Sequence, residues 1–149
     1  MPSWAPRWVG YGPEPASIRE HLLDIAGVRI TCSFISDVYS VADMLTRQPD
    51  VKVLRTRDYI RHPKPNGYQS LHLILEIPVF LSDRVELVPV EVQIRTAAMD
   101  FWAGLEHKIH YKYRGDIPAG LVEELQEAAT VAGNLDKKME RLRGELGHR

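Results

Sequence analysis

Val88-Pro-Val-Glu-Val-Gln-Ile-Arg-Thr96 runs directly into Ala97-Ala-Met-Asp-Phe-Trp-Ala-Gly-Leu-Glu-His-Lys-Ile-His-Tyr-Lys-Tyr113. In the first part Val88, Val90, Val92 and Ile94 alternate with Pro89, Glu91, Gln93 and Arg95. A period of two is the signature of a half-buried strand, with one aliphatic face and one bearing a carboxylate, an amide and a guanidinium in a row. A solvated strand face would look the same. The abrupt change to helix-forming residues after Thr96, a good N-cap, favours a site at the end of a sheet. The helix is expected over Ala97 to about Lys112, with Phe101, Leu105 and Ile109 as its core stripe and Gly104, His107, Lys108 and Tyr111 on another side.

The surrounding composition sets limits. A chain of 149 residues with 44% hydrophobic and 26% charged residues is that of a single globular domain with a real core. Its net charge of −1 supplies no global field for nucleic acid, so any anion site must be local. The lone Cys32 excludes a disulfide within the monomer and reads as a small buried hydrophobe. No apolar run is long enough to span a bilayer and the N-terminal residues lack a signal-peptide h-region, so the expected location is the cytoplasm.

Along the chain, residues 1–17 form an irregular Pro/Trp-rich arm, with Ser17 able to cap a short helix to about Leu23. Asp24-Ile-Ala-Gly-Val-Arg-Ile-Thr-Cys-Ser-Phe34 reads as a central strand with Asp24 at its mouth. Arg29 interrupts that apolar run. It needs either a carboxylate partner, with Glu91 and Asp24 as candidates, or an anionic ligand. Ser36 to Thr46 is an amphipathic scaffold helix capped by Ser36, with Val38, Val41, Ala42 and Leu45 inward, and Val51–Leu54 is a short strand.

The one dense cationic stretch holds Lys52, Arg55, Arg57, Arg61, His62 and Lys64. It leads into His62-Pro-Lys-Pro-Asn-Gly-Tyr-Gln-Ser-Leu-His72, where the prolines forbid helix and Asn66-Gly67 marks a turn. Tyr68 offers a flat ring to a base or sugar, and the cations offer phosphate contacts; an ordinary basic loop is the bland alternative. The next strand puts Ser70, His72, Ile74 and Glu76 on one face, and a turn at Ser82-Asp83 returns the chain antiparallel. His72 suits a hydrogen-bonded structural role as well as a ligand contact. In the last helix Leu121, Leu125, Ala128, Ala132, Leu135, Met139, Leu142 and Leu146 are spaced 4, 3, 4, 3, 4, 3, 4, a heptad seam that wants a partner surface in the domain or on another subunit.

Asp24-Ile-Ala-Gly-Val-Arg29, the His62–His72 stretch, Glu91-Val-Gln-Ile-Arg-Thr96 and Met99–Tyr111 together resemble the synthetase domain of the RelA/SpoT family, in particular its stand-alone small alarmone synthetases. The resemblance spans about residues 18–145. It implies an α/β (α+β) fold: a mixed, mostly antiparallel sheet flanked by helices, nucleotidyltransferase-like, with a synthetase domain over 18–115 and a C-terminal helix over 116–149. The implied activity is transfer of pyrophosphate from ATP to the 3′-hydroxyl of GDP or GTP with Mg²⁺, yielding (p)ppGpp. By motif, Asp24 resembles the Mg²⁺ ligand, Glu91 a second ligand or the base on the 3′-hydroxyl, and Tyr68 the ring that stacks on guanine. Arg29, Lys64, Asn66, Ser70, His72, Gln93, Arg95 and His107 would complete the guanine-nucleotide site, and a homotetramer is implied.

One departure stands out. Where the family has a basic ATP-gripping segment upstream of Asp24, this chain has the Pro/Trp-rich arm with only Arg7, Arg19 and His21, so a truncated donor side is expected. Two further readings follow: a degenerate member that binds guanine nucleotide or hetero-oligomerises, and a single-stranded RNA binder using the basic loop and Tyr68. A hydrolase is not implied, for lack of a His-Asp metal cluster like that of the family's hydrolase domains.

Overall fold

The computed structural model describes residues 26–147. The arm, the helix from Ser17 and Asp24 lie outside the described residues. Seven elements follow in order: β1 (Ala26–Cys32), α1 (Ile35–Thr46), β2 (Lys52–Asp58), β3 (Leu71–Phe80), β4 (Val85–Thr96), α2 (Ala97–Lys112) and α3 (Ala119–Leu146). The strands form one sheet in the order β1-β4-β3-β2, with β1 parallel to β4 and the other pairs antiparallel. This is the mixed, mostly antiparallel sheet with flanking helices that the sequence implies.

The alternation in β4 decides what each face meets. Val90, Val92 and Ile94 join Leu71, Leu73 and Leu75 of β3 and close against Val38 and Ala42 of α1. Each such side chain contributes about 1.5–3 kcal/mol when fully buried. Val41 and Leu45 pack at the margin of this core, so the expected inward stripe of α1 is correct. The Leu81–Arg84 turn, closed by the Leu81 N–H donating to the Arg84 carbonyl, joins β3 to β4 as expected.

Thr96 caps α2 as its sequence predicts: Oγ1 accepts from the Met99 N–H at 3.2 Å. The helix stops where Arg114 and Gly115 both take positive φ, at 53° and 85°.

Four expectations need correction. β1 is not central; among the described residues it forms one edge of the sheet, and Val28 is exposed. Among the described residues Arg29 has Asp100, at 3.6 Å, as its ion-pair partner rather than Glu91. Ser36 does not cap α1: Phe34 holds the N-cap position without a side-chain bond, and Ser36 Oγ accepts from Arg143 of α3. In α2, Phe101 and Leu105 are exposed; the buried side chains are Met99, Trp102 and Ala103, with Ile109 packed beside them. The sequence leaves the partner of the α3 seam open between the domain and another subunit, and most of that seam faces outward, with Leu135, Met139, Leu142 and Leu146 exposed. The inward line instead runs through Leu125, Ala129 and Asp136.

α3 lies across the end of the sheet. Asp136 accepts a 2.7 Å hydrogen bond from Thr96 Oγ1, and Asp37 of α1 pairs with Arg143 at 2.6 Å. The loop before β3 meets the same helix at Gly67, whose φ is +99°. A Cβ there would lie 2.5 Å from Ala129 Cβ, so both conformation and space require glycine.

Candidate active site

Directly paired residues in a sheet project to the same side. The register therefore aligns Arg29, Gln93, His72 and Arg57 in one row across the four strands. A second row holds Gly27, Glu91, Ile74 and Arg55, and Arg95 stands beside Thr31 in a third. The face opposite the aliphatic core is thus mostly cationic, with Glu91 as its buried carboxylate.

These groups are wired together. Arg95 donates to the Tyr68 hydroxyl at 3.0 Å and to Gln93 Oε1. Gln93 Nε2 donates in turn to Glu91 Oε1 at 3.3 Å. The Tyr68 hydroxyl lies 2.8 Å from His72 Nε2. Burial, reinforced by Arg95 and Lys64, pushes His72 down to about 3, so its ring is neutral at ordinary pH. Because guanidinium can only donate, the Tyr68 proton is left to point at His72 Nε2. The remaining imidazole proton then sits on Nδ1, 3.9 Å from Glu91 Oε1.

Glu91 is the electrostatic outlier. Burial raises its carboxyl to about 7, against the opposing pull of Gln93, Arg95, Arg29 and Lys64. Its Oε2, like Arg95 Nε, is buried without a hydrogen-bond partner. Each such atom costs about 1–3 kcal/mol, and two of them on one face of a strand mark it as a candidate site. Burial also lowers Arg95, which Asp100 in the first turn of α2 faces at 3.5 Å.

The rim is aromatic and basic. Lys64 Nζ stands 4.9 Å from the Tyr59 ring centroid and 5.1 Å from that of Tyr68. Arg95 lies 5.6 Å from the Tyr68 centroid, and Tyr59 meets the His72 ring edge-on at 5.2 Å. The turn carrying Tyr68 is built by Asn66, whose Oδ1 accepts from the Tyr68 N–H at 3.0 Å. Lys64 N–H closes it on the Tyr68 carbonyl at 3.1 Å.

Of the residues singled out from sequence, Glu91, Gln93, Arg95, Arg29, Lys64, Tyr68 and His72 come together. Asn66 shapes the turn. Ser70 is wholly buried, and its hydroxyl donates to the Ile94 carbonyl, which ties β3 to β4. His107 stands elsewhere: it lines a separate 580 Å³ cavity with His110, Tyr111, Lys112 and Arg114. Tyr59 and Asp100 were missed, whereas Arg55 and Arg57 of the cationic stretch reach the same sheet face. These two arginines alternate in β2 as Glu91, Gln93 and Arg95 do in β4.

The comparisons with known proteins converge. A family model described as the region found in RelA / SpoT proteins matches residues 13–116. The chain is 57% identical over 129 residues to GTP pyrophosphokinase YwaC of Bacillus subtilis, covering 87% of this chain and 61% of that protein. It is 44% identical over 127 residues to GTP pyrophosphokinase YjbM of the same organism, covering 85% and 60%. It thus spans about three fifths of the length of these relatives. The crystal structure of small alarmone synthetase 2 from Bacillus subtilis superposes with a TM-score of 0.78 at 50% identity, covering 89% of this chain and 77% of that one. Small alarmone synthetase 1 from Bacillus subtilis, bound to its product pppGpp, gives 0.78 at 41% identity, covering 86% and 67%.

Proposed function

Since the chain belongs to the RelA/SpoT family, we propose that it acts as a (p)ppGpp synthetase, moving pyrophosphate from ATP to the 3′-hydroxyl of GDP or GTP. The observation that carries this reading is the partnerless Oε2 of Glu91, buried on the same sheet face as the Tyr68, Arg95 and Lys64 cluster. A carboxyl raised to about 7 suits a general base at neutral pH.

In this scheme the guanine ring lies against Tyr68, whose hydroxyl is held by Arg95 and His72. Lys64, Arg29, Arg55 and Arg57 supply positive charge for the acceptor phosphates. Glu91 takes the proton of the 3′-hydroxyl as that oxygen forms a bond to the β-phosphorus of ATP. The bond from that phosphorus to the α,β-bridging oxygen breaks, and AMP departs with the electron pair. Neutral His72 holds its Nδ1 proton towards Glu91 and keeps a second positive charge away from it.

Mg²⁺ is the cofactor this reading requires. Asp24 resembles its ligand, and one carboxylate suffices because Mg²⁺ commonly takes only one or two from the protein, which leaves the orphan Glu91 oxygen for the 3′-hydroxyl proton. When bound, it neutralises charge on the phosphate oxygens. The exposed Leu135, Met139, Leu142 and Leu146 on α3 support a homo-oligomer, a tetramer by family resemblance. Among the described residues no helix is long and apolar enough to cross a membrane, and substrates such as ATP and GTP support a cytoplasmic setting.

The test is incubation with Mg²⁺, ATP labelled in its β-phosphate, and GDP or GTP. The reading expects label on the 3′-oxygen and one unlabelled AMP per transfer. GDP binding without transfer would replace it with the degenerate nucleotide-binding reading.

A further inference from the structure

Of the residues that read as the guanine-nucleotide side, Lys64, Asn66 and Tyr68 sit on the 62–69 loop and Gln93 and Arg95 at the end of β4. α3 touches both. Gln126 Nε2 donates to the Pro65 carbonyl at 3.0 Å across 61 residues of chain. One turn on, Ala129 lies against Gly67, where not even a methyl group fits between them. Two turns further, Asp136 takes the Thr96 hydroxyl bond immediately after Arg95. Trp102 of α2 donates to the Leu125 carbonyl at 2.8 Å and sets its ring 6.5 Å from that of Tyr68.

These contacts are points, not a filled interface. Between loop and helix lies a cavity of about 460 Å³, lined among others by Ile60, Pro63, Gln69, Thr130 and Asn134. A loop braced at a few points moves when one of them is lost. Gln126 also has little to do for the core, since its bond is exposed.

We propose that α3 is the positioning element of the acceptor site, with Gln126 and Ala129 fixing where the Tyr68 ring stands. The proposal rests on the reading above in one respect only: that Tyr68 receives the base. Neither residue touches the reacting atoms; both act through the loop. Gln126 must present its amide nitrogen, because a carbonyl can only accept.

Three variants of the full chain test this. Gln126→Glu keeps the size but offers the Pro65 carbonyl another acceptor. Gln126→Lys restores a donor. Ala129→Val pushes on Gly67. The readouts are amide hydrogen exchange at Gly67 and Tyr68, calorimetric GDP affinity, KM against kcat, and melting temperature. For Gln126→Glu and Ala129→Val, exchange at those two amides should quicken about tenfold, the scale of one lost hydrogen bond. GDP affinity should fall by a similar factor and KM for GDP should rise while kcat holds; the melting temperature should barely move in Gln126→Glu and drop in Ala129→Val, whose added methyls crowd Gly67. Gln126→Lys should return all of these towards wild type. Unchanged exchange and affinity in Gln126→Glu and Ala129→Val, or equal losses in Gln126→Glu and Gln126→Lys, would overturn the proposal. Faster exchange in a protein whose wild type binds no GDP would leave the bracing role standing and remove the functional reading instead.

Discussion

The two faces of β4 are made by one run of residues and are buried alike: Glu91 and Val92 are each 5% exposed. Energetically they are opposites. Val92 leaves water for a hydrocarbon core, which stabilises the fold. Glu91 leaves water for a site that satisfies only one of its oxygens, which destabilises it. A shift of one residue separates scaffold from chemistry. Burial alone therefore identifies neither; what distinguishes the site is burial that the local hydrogen bonds do not repay.

The comparison can be broken most violently by giving the core face the site's chemistry. Val92→Asp would place an unpaired carboxylate between β4 and α1, at a cost above about 4 kcal/mol, and circular dichroism should show an unfolded chain at 25 °C. Ile94→Ala, at a fully buried core position, should cost about 2–5 kcal/mol in denaturant unfolding. Asp136→Ala removes the acceptor for the buried Thr96 hydroxyl and should cost about 1–3 kcal/mol, with the α2 cap intact because Thr96 Oγ1 still accepts from Met99.

The smallest effect has the opposite sign. Glu91 holds its proton more tightly in the folded protein than in the unfolded chain, at about 7 against an ordinary value near 4.5. Between those values the native state binds more protons, so stability falls as pH rises. Glu91→Gln removes that slope. Its melting temperature should exceed that of the wild type at pH 8, and the gain should vanish below about pH 4.5.

Much of this was legible from residue order. The switch at Thr96 from period two to helix is local chemistry, and both the strand and the cap formed where the pattern put them. The clustering of Glu91, Gln93, Arg95 and Tyr68 was accessible because the first three alternate in one strand. Direction was harder to read. Phe101 and Trp102 are adjacent aromatics on α2, and nothing local says which one turns inward. The route from Arg95 into the helix and the Trp102 bond to Leu125 decide it. On α3 the leucine seam mattered less than close approach and hydrogen bonding: a small residue was needed opposite Gly67 and an acceptor opposite Thr96. The strand from Ala26 looked central because it is apolar, yet its long-range pairing puts it at an edge among the described residues.

The most direct test of the account is to measure transfer of labelled pyrophosphate to GDP and the melting temperature together, in wild type and Glu91→Gln at pH 8. The account predicts a fall in transfer of about 10²–10⁴-fold, the range of a lost general base, with a melting temperature equal or higher. Transfer at the wild-type rate, or a variant that melts well below wild type, would show that Glu91 serves the fold and that the site lies elsewhere.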